Sequence, residues 1–530
     1  MKAKQWILYW IISVLSILLI IGVTVYKVDP YFHYHKPDIE KYFYVLNNQR
    51  SQNDGITKHF DYDALITGTS MTENFKTSEM DELFGVHSIK VPYSGGSYKE
   101  INDNLKKALE YNPNLKLVVR GLDMGKFFDD KDQMREDLGT YPTYLYDNNP
   151  FNDVDYLYNK DVIFSRIYEM LSAKRQEGFL PGITSFDEYS CWQANYSFGR
   201  KSAIQRDSTG ELRDENQNKG EHLSVIEKKT VNENITQNVT SLADQNPEVE
   251  FYYFFTPYSI MWWKSIVDSG EIERQIEAEQ YIIELILQHK NIHLYSFNNR
   301  ADITTDLNNY KDEIHYGEWV NSLIFKWIHD GKYLLTEENY KNYLQKEYAF
   351  YTSFDYLSLI DQTDYESDFY AAALLNKELT GEEPIEILTS DVVKIELSGA
   401  EIVNEQYEGT LGIQCAAIEH KTTELQEKIN ENFGRVQIRI DDIGHRRYLT
   451  FYGKKLKDCG EPLVNIYDAE GQEIAGLGES YEEMEDGCWH QYVIKLPKGS
   501  GTVQMVFSGG YTNKEEDIEP AYVFSNLKLY

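Results

Sequence analysis

Cysteine is scarce, and its placement excludes more than its number does. Four occur in 530 residues, Cys191, Cys415, Cys459 and Cys488, and no two make a CxxC pair. A structural zinc site of paired cysteines and a thioredoxin-type redox motif therefore have no support. Cys459 and Cys488 share one C-terminal stretch, where a disulfide and two unpaired thiols are both open. Positive charge is also in short supply: 52 basic residues face 86 acidic ones, for a formal net charge of -34. Such a surface repels phosphate backbones, so nucleic acid is excluded as a partner class. There is no internal repeat and no sustained low-complexity tract. No second apolar run reaches spanning length; "FYYFFTPYSIMWW" comes nearest and is broken by Pro257.

What is abundant is tyrosine, 42 residues, and one long apolar run at the start. "MKAKQWILYWIISVLSILLIIGVTVYKVDP" places Lys2 and Lys4 before a nearly charge-free stretch from Trp6 to Tyr26. About 20 helical residues at a 1.5 Å rise cross a hydrocarbon core of ~30 Å. Trp6, Tyr9, Trp10 and Tyr26 stand near its ends, where amphipathic rings favour the interface. The apolar core is longer than a cleaved signal peptide needs, and no A-x-A-like site follows. The expectation is an uncleaved signal anchor over residues 1–28, single-pass, with a cytoplasmic N-terminus and everything after Asp29 outside the cell membrane. His33 and His35, in "VDPYFHYHKP", are read as part of an aromatic interfacial belt rather than as a metal pair; no metal site is expected.

From about residue 60 short apolar runs alternate with helical patterns. "DALITGTS", "VHSIKVPYSGG", "LKLVVRGLD", "VEFYYFF" and "IHLYSF" read as five strands. "SYKEINDNLKKALEYNP" and "IERQIEAEQYIIELILQHK" are among the intervening helices. Strands separated by helices imply parallel pairing, hence an α/β fold with a doubly wound, five-stranded parallel sheet over residues 29–334. Sites in such sheets lie beyond the carboxyl ends of the strands. That rule singles out Ser70, Gly95, Gly96, Gly121, Asp123 and Thr256. Residues 335–390 read as a helical connector. From 391 to 530 the texture becomes alternating strands between turn signals, an all-β sandwich.

A serine hydroxyl attacks a carbonyl only when a base takes its proton, and the base needs an acceptor on its other ring nitrogen. Ser70 ends the first strand in "LITGTSMTEN". His315 in "KDEIHYGEW" has Asp312 three residues before it, a spacing that puts both on one face of a turn. Alone, each is more often a helix cap. Together, in order along an alternating chain, they make a Ser-His-Asp constellation.

"GTSMT" at the first strand end, Gly95 and Gly96 after the second, and "DEIH" near the domain's end resemble the SGNH/GDSL hydrolase superfamily. The resemblance is closer to its membrane-anchored branch, which includes the D-alanyl transfer proteins of teichoic acid modification and the alginate O-acetylation proteins. It covers roughly residues 28 to 330. It implies a flavodoxin-like order of the sheet, Ser70 as nucleophile, His315 as general base and then acid, and Asp312 as its orienter. The Ser70 amide and that of Gly95 or Gly96 are the implied oxyanion hole. Two positions depart from the family. Thr69 stands where Asp is common, and Asp123 stands where an asparagine donates to the oxyanion. A carboxylate only accepts hydrogen bonds, so Asp123 is protonated, or Asn74 or Arg120 serves instead, or the third donor is missing. Asn74, Arg120, Asp123 and Thr256 are the expected lining of the substrate pocket.

The C-terminal domain, by its texture and its "FSNLKLY" ending, resembles a jelly-roll carbohydrate-binding module, with Tyr452, Trp489 and Tyr511 as candidate stacking rings. The expectation is thus an extracytoplasmic serine esterase or O-acyltransferase, needing no cofactor, that acts on acyl esters of a cell-surface glycan or exopolysaccharide, acetyl being the expected group. The branch resemblance implies a membrane-bound O-acyltransferase partner if the acyl group comes from the cytoplasm. The competing expectation is a catalytically inactive scaffold of the same fold that binds surface glycan.

Overall fold

A computed structural model describes residues 3–137, 141–204, 221–359, 369–404, 406–416, 418–419, 434–456, 462–477, 487–509, 511–512 and 520–530. The chain divides into two compact units. The first holds the N-terminal helix and a parallel sheet and runs to Tyr356, less two inserts. The second takes those inserts, one beginning at Ser197 and one spanning Asp306–Asp312, together with everything from Leu357.

Helix α1, Ala3–Val28, is the apolar run. Its stretch Lys4–Val28 is long and apolar enough to cross a membrane, and length and composition fit an anchor and a signal sequence alike. Where α1 ends, Asp29 is buried. Its carboxylate accepts the amides of His33 (3.0 Å), Tyr34 (2.7 Å) and His35 (3.0 Å) and the Tyr156 hydroxyl (2.8 Å). Burial raises the pKa of this carboxyl above the ordinary aspartate value, against the hydrogen bonds from Tyr156, Tyr34 and His35. The chain therefore folds back on the helix end. This corrects the belt reading for His33: its Nε2 lies 3.2 Å from Asp153 Oδ1 in a largely enclosed pair.

The sheet follows. Strands β1 (Ala64–Gly68), β2 (Ser88–Pro92), β3 (Leu117–Leu122), β4 (Glu250–Phe255) and β5 (Ile292–Ser296) are all parallel, in the order β2-β1-β3-β4-β5. β1, β2 and β3 are buried at every residue, as strands covered on both faces must be, which is why they read as apolar runs without alternation. Helix α2, Tyr98–Tyr111, leaves β2 through a capping box in which Ser97 and Glu100 satisfy each other's amides. Chain order and spatial order reverse at β1: β2 lies on one side of it and β3 on the other. In sheets of this kind, sites form at the carboxyl ends of the strands beside such a reversal.

Helices α3 (Ile260–Asp268), α4 (Ile272–Ile286), α5 (Glu318–His329) and α6 (Tyr340–Ser353) are among the later helices of this unit. The stretch 335–390 divides. α6 packs on α3 and α4, whereas α7 (Tyr370–Thr380) packs on strands of the second unit.

That unit is a sandwich of antiparallel sheets. Its strands are β6 (Val393–Ser398), β7 (Ala400–Val403), β8 (Gly412–Ala416), β9 (Arg435–Ile440), β10 (Tyr448–Lys455), β11 (Leu463–Tyr467), β12 (Glu473–Gly476), β13 (Trp489–Lys495), β14 (Val503–Ser508) and β15 (Pro520–Leu529). One sheet runs β7-β8-β15-β10-β13, with a short strand Ile385–Glu386 on β15, and the other β12-β11-β14-β9-β6. Residues of period two, such as Val436, Ile438 and Ile440 of β9, meet Phe451, Phe507 and Phe524 in the core.

Two carboxyls of the first unit are buried against each other. Glu279 of α4 and Glu347 of α6 are fully enclosed and adjacent. Desolvation, and for Glu347 the neighbouring charge, raise both above the ordinary glutamate range. The folded state thus holds protons that the unfolded chain has released above its own glutamate pKa, so this pair costs stability as pH rises through neutrality. Replacing Glu347→Gln removes that term. The melting temperature of the variant, relative to wild type, is expected to climb steadily between pH 5 and 8 in thermal scans; a constant difference refutes the account.

Candidate active site

Ser70 opens a 3-10 turn, Ser70–Thr72, directly after β1. Tight packing beneath it demands glycine. Gly68 has φ 148°, and a Cβ there would lie 2.6 Å from Thr72 Cγ2; one on Gly121, at the end of β3, would lie 3.0 Å from the same atom. The turn is held by side chains from elsewhere. Asn321 Nδ2 of α5 donates to the Met71 carbonyl at 3.1 Å. Lys90 of β2 is buried, and its Nζ donates to the carbonyls of Glu73 and Phe75, the latter at 2.8 Å. Desolvation lowers its pKa to about 8.

Ser70 Oγ lies 2.7 Å from His315 Nε2. The loop that carries His315 is fixed just before it: the Ser259 amide and hydroxyl both donate to the Glu313 carbonyl, at 3.1 and 2.6 Å. Trp192 meets the imidazole edge-on, centroids 5.7 Å apart at 87°, and its Nε1 donates to the Ser70 carbonyl at 3.3 Å. One indole thus braces both members of the pair. Asp312 stands three residues before His315 and is grouped with the second compact unit; its part as orienter belongs to the proposal below.

Asp123 ends β3, and its carboxylate gathers hydroxyls. Thr69 Oγ1 donates to Oδ2, while Thr256 Oγ1 (3.3 Å) and Tyr258 OH (2.7 Å) donate to Oδ1. Tyr98 OH donates to its backbone carbonyl at 2.9 Å. Burial, and then the Asp123 charge, push the Tyr258 phenol well above its ordinary pKa, so it remains a donor. Asp123 and Thr256 therefore work as a tie beneath the pair, with Thr69 as its link to the serine.

The remaining expected residues separate. Arg120 is fully enclosed between the rings of Tyr98 and Tyr253, and its Nη1 donates to the Asn238 carbonyl at 2.7 Å. Desolvation lowers its pKa. It is a buried brace, so its expected place in the pocket lining is corrected. The Gly96 amide closes a turn on the Tyr93 carbonyl at 2.8 Å, which leaves Gly95 of that pair; Gly95 has φ 58°, and a Cβ there would collide with the Arg135 guanidinium. Ser70, as first residue of its turn, has no acceptor within the turn for its amide. Asn74 is buried; its Oδ1 accepts the Trp192 amide at 3.1 Å, and its Nδ2 has no hydrogen-bond partner among the described residues.

Sequence reasoning missed Trp192, Gln49 and Tyr258. Gln49 knots three loops: its Oε1 accepts the Ser94 amide at 2.6 Å, and its Nε2 donates to Glu73 and, at 3.0 Å, to Ser190 Oγ. It also lines a polar groove of about 690 Å³ with Arg50, Ser94, Tyr144, Arg166 and Ser190. The only sequence signal was the aromatic and cysteine-bearing "SCWQANY" inside a long irregular stretch.

In the second unit, Tyr452 stacks on Tyr407 at 3.6 Å, and Trp489 meets Tyr407 edge-on at 5.7 Å. Two of the three candidate rings thus share one cluster, on strands that α7 packs against. The side chain of Tyr511 and the whole of Cys459, hence the Cys459–Cys488 pairing, lie outside the described residues.

No protein-family model and no curated protein matches the chain. Among solved structures, a platelet-activating-factor structure from Streptococcus pneumonia covers 53% of this chain and 90% of its own, at 12% identity and TM-score 0.27. A carbohydrate-binding module from Clostridium stercorarium in complex with cellobiose covers 28% and 90%, at 10% identity and TM-score 0.17. A module of the CBM4 type covers 28% and 95%, at 15% identity and TM-score 0.18. At such scores neither fold nor function is carried over to this chain.

If Asp123 is a tie, an amide cannot replace it, because one of its two terminal atoms no longer accepts. Asp123→Asn is expected to cost about 1–3 kcal/mol for the hydroxyl left without an acceptor. A lowered thermal transition of the first unit is the readout; an unchanged transition refutes the tie.

Proposed function

We propose that the chain is a membrane-anchored serine esterase or O-acyltransferase of SGNH type, acting on acyl esters, acetyl first among them, of a cell-surface glycan or exopolysaccharide. The observation that carries the proposal is the 2.7 Å contact between Ser70 Oγ and His315 Nε2 at the carboxyl edge of the parallel sheet. In this reading Ser70 Oγ attacks the ester carbonyl and its proton passes to His315 Nε2. The oxyanion that forms takes hydrogen bonds from the Ser70 and Gly95 amides. The unspent Nδ2 of Asn74 is the third donor, in place of the family's asparagine. His315 then returns its proton to the leaving sugar oxygen, and the acyl group stays on Ser70. Water, or a second sugar hydroxyl deprotonated by His315, resolves that ester. Asp312 holds the imidazole through its other nitrogen. No cofactor enters.

Helix α1 is an anchor with a cytoplasmic N-terminus, so both units stand outside the membrane. The sandwich is a jelly-roll module that binds glycan, with Tyr407, Tyr452 and Trp489 as its aromatic cluster. A membrane-bound O-acyltransferase is the partner if the acyl group originates inside the cell.

A fluorophosphonate probe is expected to label the wild type and to leave Ser70→Ala and His315→Ala unlabelled, read by mass spectrometry of the Ser70 peptide; an unlabelled wild type favours the inactive glycan-binding scaffold. With a labelled wild type, Asn74→Ala is expected to lower kcat by about 10²–10³, the usual loss for one oxyanion donor, with little change in KM. An unaltered kcat removes Asn74 from the site.

A further inference from the structure

The stretch 151–180 has no part in the site, yet it exposes large apolar side chains beside α1. Phe151 is 87% exposed, Phe164 and Tyr168 66% each, and Leu180 79%. Phe164 and Tyr168 stand four residues apart on a helix, 160–173, whose middle is a π-turn, Ile163–Ile167. Residues four apart share a face, and Val162 and Ile167 are buried on the other side. The helix therefore has two apolar faces, and one is unpartnered.

Its position says what covers that face. Tyr158 OH donates to the carbonyl of Leu18, within α1, at 3.3 Å. A Cβ on Gly22 would lie 3.2 Å from the same hydroxyl, so glycine is what admits the ring against the helix. Both helical pieces, Val154–Leu157 and Ile163–Ile167, pack on α1. Leu18 is ten residues before the end of the candidate span at Val28, or about 15 Å along the axis. The 25-residue span Lys4–Val28 is some 7 Å longer than a hydrocarbon core of ~30 Å. With the core centred on the span, Leu18 lies about 10 Å below the outer surface of the hydrocarbon. The segment that touches it cannot stand clear of the bilayer. Exposed Lys160, Lys174 and Arg175 can meet headgroup phosphates, while the exposed Asp155, Asp161, Glu169 and Glu177 restrict entry to the interface.

We propose that residues 151–180 form a monotopic wedge that lies in the outer-leaflet interface alongside α1, with Phe164 and Tyr168 in contact with phospholipid acyl chains. The proposal rests on the anchor reading of α1. It gives the first unit a second point of membrane attachment, so that the unit is held at fixed height and tilt rather than swinging on one helix.

The test uses the full chain in nanodiscs containing a phospholipid with a diazirine on its acyl chain, with adducts mapped by mass spectrometry. Adducts are expected on α1 and on the peptides of Phe164 and Tyr168. In Phe164→Glu/Tyr168→Glu the adducts on 160–173 are expected to fall about tenfold, with those on α1 unchanged, because a charge is expelled from the acyl region. Adducts confined to α1 in the wild type overturn the wedge and leave the anchor standing. Copy-to-copy crosslinks at Phe164 in place of lipid adducts also overturn it. Absence of adducts from α1 as well overturns the anchor and the wedge together.

Discussion

Three hydroxyls converge on the carboxylate of Asp123, and the carboxyl edge of the sheet is organised by that convergence. They come from the ends of β1 and β4, and the acid itself ends β3. One side chain thus sets the relative height of three neighbouring strand ends in a region where the ladder hydrogen bonds have already stopped. A buried carboxylate is costly unless each oxygen is satisfied; here that demand fixes Thr69, and Thr69 fixes the residue after it. Ser70 is held by the tie below, by Asn321 and Lys90 on its own turn, and by Trp192 above. The serine–histidine contact is the product of this scaffold and not an independent feature of two residues.

The same constraint explains which parts of the molecule were legible in the sequence. Strands buried on both faces leave an apolar run that no other element of that length requires, so the five strands of the sheet were readable in order. The approach of Ser70 to His315 was legible as a pairing of side chains, because a serine at a strand end and a histidine with an acidic neighbour are few in the chain. Asp123 was found but its role was not. Whether a carboxylate donates to an oxyanion or accepts from hydroxyls depends on partners 54, 133 and 135 residues away. No local pattern encodes partners at that separation. Arg120 failed for a related reason: an arginine in a strand reads as a functional charge, and only the rings of Tyr98 and Tyr253 around it show a buried brace. Trp192 and Gln49 lie in stretches without periodicity, where pattern reading has no purchase.

His33 was misjudged because composition near a helix end suggests an interface, whereas the Asp29 carboxylate turns the chain back on itself within six residues. That turn matters beyond its own neighbourhood. By capping the exit of α1 with three consecutive amides and the hydroxyl of Tyr156, it couples the apolar helix to the rest of the first unit through hydrogen bonds to a buried carboxylate. A flexible linker would uncouple them. Buried polar groups of this kind add little net stability, but they penalise every alternative geometry in which they are unsatisfied.

Gln49 carries that rigidity toward the site. Its amide joins the loop after β2, the segment that bears Trp192, and Glu73 just after the Ser70 turn. The groove it lines also reaches Tyr31 and Arg166, residues of the segments that adjoin the end of α1. A continuous polar surface therefore connects the base of the first unit to the loops around Ser70. With α1 as the proposed anchor, the same continuity relates the height of the Ser70–His315 pair above the bilayer to hydrogen-bonded structure rather than to a linker.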